Sequence, residues 1–230
     1  MTRREEIRNA YKFSSGTAGF YDGMMTYSTL LGKAICRLVW NMDREKNLQY
    51  IEQALSPIPD TFAGKLLEVP TGTGVLSMPV YKGLPEADLT CLDYSEEMLR
   101  EAKRKAKAMG IGNITFLQGD VGALPFEDGT FDIVLSLNGF HAFPDKEKAY
   151  RETFRVLKPG GVFCGCFYVR GGCKRTDWFI RTLYVPKGYF TPPFETERSL
   201  RQRLSNMYDL VQVSRVEGIA CFACRKKSEK

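Results

Sequence analysis

This chain has a single histidine, His141, and two tryptophans in 230 residues. It has one C-x-x-C pair, Cys221 and Cys224, and neither a second such pair nor a C-x-x-H pair to complete a zinc site. No bound metal is therefore expected. No run of about 18 apolar residues is present, which argues against a transmembrane helix. The start, Met1-Thr2-Arg3-Arg4-Glu5-Glu6, lacks the apolar core of a signal peptide. These absences together point to a cytoplasmic protein, with peripheral membrane contact left open. There is no internal repeat. The lysine-rich stretch 100–107 contains no aromatic residue, which weakens a single-strand nucleic-acid reading.

The composition that is present suits one α/β domain. Hydrophobic residues make up 43% and charged residues 26%, ordinary values for a globular protein. Seven cysteines is an odd number, and the expectation is reduced thiols acting as small buried hydrophobes. Cys164 and Cys166 alternate within a strand pattern and should face one side. Cys221 and Cys224 should face opposite sides. The formal net charge is +6, concentrated in 100–107 and in Arg225-Lys226-Lys227. The first run lies on a predicted helix and reads as a solvated face.

The most informative stretch is Lys65-Leu66-Leu67-Glu68-Val69-Pro70-Thr71-Gly72-Thr73-Gly74. It reads as a buried strand entering a glycine-bearing turn, then a helix from about 73. Glycine lets backbone amides approach a ligand closely, and a helix N-terminus aims free N–H groups at the same place. Asp93 closes the next predicted strand, 21 positions after Gly72. That is about where a nucleotide-binding βαβ unit places its ribose-binding carboxylate.

Residues 1–60 read as helical and aromatic (Tyr11, Phe13, Phe20, Tyr21, Tyr27, Trp40), and Ser56-Pro57-Ile58-Pro59 separates them from the rest. Strands follow at 65–69, 89–92, 114–117, 131–136 and 162–169. Ser95 is the expected N-cap of a helix rich in acids first and lysines later, with Gly110 ending it. A second helix covers 145–157 and stops at Lys158-Pro159-Gly160-Gly161. Residues 170–194 are aromatic and irregular. A helix at 195–206 precedes strands at 209–216 and 219–225, joined by a tight turn at Glu217-Gly218. The pattern predicts a Rossmann-like doubly wound α/β sheet, mostly parallel, with one antiparallel strand near the C-terminus and helices on both faces. The expected division is an N-terminal helical cap, 1–60, over a Rossmann-like domain, 61–230, with 170–194 as a lid insertion.

Four stretches then resemble the class I S-adenosylmethionine-dependent methyltransferases, and most of all the ubiquinone and menaquinone C-methyltransferase branch. They are 67–74, Leu92-Asp93-Tyr94-Ser95-Glu96-Glu97-Met98-Leu99, residues 118–132 (beginning Gln118-Gly119-Asp120-Val121), and Arg155-Val156-Leu157-Lys158-Pro159-Gly160-Gly161. Phe20-Tyr21-Asp22-Gly23-Met24-Met25 resembles a helix of that branch that covers the cofactor. The resemblance implies S-adenosylmethionine as cofactor and a small, apolar or aromatic methyl acceptor. By the same resemblance, Glu68 and the turn Pro70, Thr71, Gly72 and Gly74 would hold the methionine part. Asp93 would accept from the ribose hydroxyls, with Tyr94 and Met98 beside the adenine. Asp120 would accept from the adenine amino group, with Gly119 and Val121 against the ring. Ser136 and Asn138 would lie by the methionine end, and Tyr21 would close the site.

Simpler readings stand beside these roles. Asp93 could cap the helix at 95–108, Asp120 could make an Asx-turn, and Glu68 could cap the turn. His141, in the loop leaving the fourth strand, is a candidate general base because an unperturbed imidazole titrates near neutrality. Two departures from the family pattern appear. Pro70 replaces a usual glycine and has no N–H to donate, and 136–143 does not follow the quinone-enzyme sequence. A cofactor-binding protein without turnover is the alternative that Pro70 motivates. A nicotinamide oxidoreductase fits poorly, since the turn is not G-x-G-x-x-G. A nucleic-acid methyltransferase rests on the positive charge alone.

Overall fold

The computed structural model describes residues 20–228; the expectations for Tyr11, Phe13 and the rest of 1–19 lie outside them. Seven strands form one sheet: β1 (Lys65–Glu68), β2 (Asp88–Asp93), β3 (Ile114–Gln118), β4 (Phe131–Leu137), β5 (Leu157–Tyr168), β6 (Asp209–Val216) and β7 (Ile219–Arg225). Their order across the sheet is β3-β2-β1-β4-β5-β7-β6. Strands β1 to β5 pair in parallel, and β7 runs antiparallel to both β5 and β6. The doubly wound sheet with one reversed strand is the architecture expected from the sequence.

The strands are apolar on both sides because both sides are covered. On one face lie Leu66, Leu89, Cys91, Ile133, Leu135, Cys164, Cys166 and Cys221. Helices α3 (Arg44–Leu55) and α5 (Glu96–Met109) pack over them, contributing Tyr50, Ile51, Ala102 and Ala106. On the other face Leu67, Leu92, Val134, Phe163, Phe222 and Cys224 meet α6 (Lys146–Val156) and α8 (Glu197–Met207). The paired strand cysteines thus divide as their alternation predicts, and six of the seven thiols are buried.

Local signals explain several boundaries. Ser95 Oγ accepts the Met98 amide at the start of α5, Glu96 and Glu97 fill the first turn, and Gly110 at φ +72° ends the helix. Helix α8 starts with a reciprocal capping box between Thr196 and Ser199. One expected element is different. No helix begins near Thr73; the only one in that connection is α4, Met78–Tyr81. Gly72 and Gly74 both sit at positive φ, +57° and +69°, and a right-handed helix cannot run through a left-handed residue such as Gly74. Residues 158–161, read as a turn, belong to the first part of β5, which pairs Phe131 with Leu157 and shifts register by Ile133.

Before the sheet, α1 (Phe20–Met25) and α2 (Leu30–Leu38) pack closely. A Cβ on Gly32 would fall 2.4 Å from the Gly23 carbonyl oxygen, so the contact requires glycine. The segment after β5 is more ordered than its sequence suggests. It forms α7 (Lys174–Phe179) and a π-helical turn, Ile180–Tyr184.

Candidate functional site

The strand order reverses between β1 and β4, which neighbour each other in the sheet while their chains lead to opposite sides. Ligands of open α/β sheets occupy the crevice at such a switch point, outside the carboxyl ends of the strands. A cavity of ≈ 60 Å³ opens there, lined among others by Tyr21, Glu68, Thr71, Gly72, Met25 and Asn138. Pro70 also lines it. The continuation toward Asp93 and Asp120 is more open, with Tyr94 78% exposed.

Glu68 ends β1 and is 1% exposed. Its carboxylate accepts from the Tyr81 hydroxyl at 3.1 Å and from the Cys91 thiol at 3.5 Å. Burial pushes its pKa up to about 8, against the lowering effect of its hydrogen-bonding neighbours. The group is a buried acid that no cation neutralises by an ion pair among the described residues.

Asp93 ends β2. Its two oxygens receive the Gly72 amide at 2.7 Å and the Ser95 amide at 2.9 Å. Helix α5 is capped by the Ser95 side chain, not by Asp93. A carboxylate offers about four lone-pair sites, so two remain beyond these amides. Register places Asp93 opposite Gln118, and the Gly119 amide donates to the Asp93 carbonyl. Asp120 follows directly after this junction. Asp120 Oδ1 accepts the Gly122 amide at 2.8 Å, an Asx-turn, and Val121 is buried nearby in the apolar layer. Met98 sits half-buried in the first turn of α5, outside the cavity.

Asn138 leaves β4 at φ +54°, its amide donating to the Cys166 carbonyl, a conformation asparagine tolerates. Its side chain lies 3.7 Å from Met25 Sδ. Ser136 is placed differently from expectation. It is fully buried, its hydroxyl has no partner, and it does not line the cavity. Side chains alternate along a strand, so Ser136 follows Val134 to the far face while Leu135 and Leu137 take the near one.

His141 is also unlike a general base. It is 8% exposed, stacked on Phe190 at 4.0 Å, and its Nδ1 accepts the Tyr168 amide. The proton therefore sits on Nε2, and burial drives the pKa down to about 3. Thr191 donates its amide to the His141 carbonyl and its hydroxyl to the Ala142 carbonyl. The aromatic segment is tied to the β4 loop by these bonds.

One arrangement was not foreseen. Asp22 of α1, 3% exposed, accepts from the Thr73 hydroxyl at 2.6 Å and pairs with Lys105 at 2.7 Å. Lys105 is 8% exposed, unlike the solvated face expected of 100–107. The signal was present: Lys105 falls on the apolar stripe of α5 with Ala102, and a cation there needs a buried partner.

Known proteins resemble this chain over its central strands. A model of the methyltransferase domain matches residues 66–161. A demethylmenaquinone methyltransferase of Thermus thermophilus is 44% identical over 97 residues, covering 42% of this chain and 44% of that protein. A ubiquinone/menaquinone biosynthesis C-methyltransferase of Pasteurella multocida is 38% identical over 99 residues, 42% of this chain and 37% of its own length. The match therefore spans less than half of either relative. Among solved structures, a SAM-dependent methyltransferase from Thermotoga maritima superposes with a TM-score of 0.62 over 90% of this chain and all of its own, at 17% identity. At that identity the likeness is one of fold. The methyltransferase domain and its fold imply S-adenosylmethionine as the cofactor, as the four stretches suggested.

Proposed function

We propose that the protein is an S-adenosylmethionine-dependent methyltransferase acting on a small, apolar or aromatic acceptor of the hydroquinone class. The observation that carries this reading is buried Glu68 in the cavity at the switch point between β1 and β4, with Asp93 at the end of β2 holding the Gly72 amide at its edge. The quinone-directed names of the matched relatives support the acceptor class.

The donor set fits the cofactor. Its ammonium would supply the positive charge that buried Glu68 lacks, together with backbone carbonyls of the turn. Its ribose diol suits the two lone-pair sites left on Asp93, since hydrogen bonds to a carboxylate are among the stronger ones. Gly72, with open space around its Cα, leaves room at the same edge. Asp120, Gly119, Val121, Tyr94 and Met98 would border the adenine, while Asn138 and Tyr21 would border the methyl-transfer end. Pro70 and Thr71 would shape the turn, with Gly74 holding its bend. Helix α1 would act as the cap and the 170–194 excursion as the wall over the acceptor.

When bound, S-adenosylmethionine supplies an electrophilic methyl group on a good leaving group. The residues of this chain then have little covalent work. They align the acceptor, and the closing of α1 over the cavity excludes water. His141 takes no part as a base; it holds the β4 loop against Phe190.

The test is calorimetric titration of S-adenosylhomocysteine, beside NAD and an Asp93→Ala control. Micromolar binding, weakened roughly 10- to 100-fold by removal of the charged acceptor, is expected. An acceptor screen with phenols and hydroquinones follows. Absence of S-adenosylhomocysteine binding, or tighter NAD binding, would sink the reading.

A further inference from the structure

Helix α2 carries two apolar arcs. One faces inward through Gly32, Cys36 and Val39 at its end. The other faces solvent: Leu30 is 86% exposed, Leu31 60% and Leu38 56%. At 3.6 residues per turn these three and Ala34 span an arc of roughly 100°, with Lys33 and Arg37 along its edge. Helix α7 adjoins the C-terminal end of α2. Arg175 donates to the Arg37 carbonyl at 2.8 Å, and the Thr176 hydroxyl to the Val39 carbonyl at 2.7 Å. Beyond that junction Trp178 is 52% and Leu183 46% exposed.

Single exposed leucines need no explanation, but a contiguous apolar face with a cationic rim does. From 26 to 42 there is no acidic residue, and from 170 to 191 only Asp177. That carboxylate is engaged internally by the Tyr168 hydroxyl and the Gly171 amide. Exposed Lys174, Arg175 and Arg181 complete the rim. Residues 2–12, with Arg3, Arg4, Arg8 and Lys12 against Glu5 and Glu6, match this surface in sign and do not complement it. Leucine and tryptophan surrounded by lysine and arginine is the composition of a segment lying in the headgroup region of a bilayer.

We propose that α2 and the α7 excursion form a docking surface for an anionic lipid bilayer. This surface stands apart from the methyl-transfer reading, because it needs neither cofactor nor acceptor.

Vesicle co-sedimentation of the full chain tests it, with phosphatidylcholine alone and with phosphatidylglycerol added. The variants are Leu30→Ser/Leu31→Ser and Lys33→Gln, with circular dichroism checking the fold. Expected are salt-sensitive binding to the anionic vesicles only, its loss in the double leucine variant, and about fivefold weakening in Lys33→Gln. The proposal is overturned if the wild-type chain does not bind anionic vesicles, or if the leucine variant binds as well as wild type. It is equally overturned if gel filtration shows a dimer that Leu30→Ser/Leu31→Ser dissolves while vesicle binding is absent.

Discussion

Gly139 stands bare against the Pro70 ring: a Cβ on Gly139 would lie 2.3 Å from Pro70 Cδ. The Pro70 ring is thus accommodated by a glycine on the neighbouring β4 loop. Gly139→Ala should overpack this contact and lower stability by about 1–3 kcal/mol. Pro70→Gly should restore part of the loss in the double variant, since the added Cβ would still lie 2.8 Å from Phe143 Cζ. Urea midpoints of the four proteins measure this coupling, and additive effects would show that the two loops do not depend on each other.

Removing one partner from the buried Asp22–Lys105 pair should be severe. Lys105→Met leaves Asp22 desolvated and unpaired, at a cost of about 3–5 kcal/mol. Asp22→Asn/Lys105→Met should recover part of it, because no isolated charge remains. Equilibrium unfolding of the single and double variants distinguishes this from a solvent-exposed pair, for which both changes would be nearly silent.

The Glu68 carboxyl titrates near 8 in the folded chain, against 4.5 as its reference. Its folded pKa is raised, so its contribution to stability is full below about 4.5 and lost as pH rises through about 8. Wild type should therefore lose stability relative to Glu68→Gln across that window. A cationic ligand reverses the preference: S-adenosylmethionine should bind with proton release near neutral pH. Calorimetry in buffers of different ionisation enthalpy reads the proton count directly, and uptake or no exchange would count against the ammonium contact.

His141 behaves oppositely. Its folded pKa, about 3, lies below the usual 6.5, so it favours the folded state above 6.5 and this contribution is lost as pH falls toward 3. Replacing it with Gln should flatten the acid limb of the stability curve. The methyl-transfer rate of the wild type should show no inflection near 6.5; a clear one that His141→Gln removes would restore the general-base reading.

Much of the sheet was legible because its information is local. Leu66 and Leu67, or Cys164 and Cys166, announce strands by run and alternation, and β6 and β7 appear at the residues their turn at Glu217-Gly218 implies. Ser95 and Gly110 marked α5 by the chemistry of helix ends. Asp93 and Gln118 close neighbouring strands because those strands pair in register. The misplacements have equally physical causes. Ser136 was assigned by nearness to a strand end, whereas parity decides which face a side chain takes. Positive-φ glycines at 72 and 74 displaced the helix expected from 73. Lys105 and His141 were judged by their own segments, yet α1 and the aromatic segment around Phe190 set their surroundings. Contacts made at long sequence separation leave only a weak trace in any one stretch.

The close contact of Gly23 with Gly32 has a mechanical consequence. Helices joined through bare backbone have little freedom to slide. A methyl group at position 32 would meet the Gly23 carbonyl oxygen at 2.4 Å, so even alanine there should part α1 from α2 and displace Tyr21 and Met25 at the cavity.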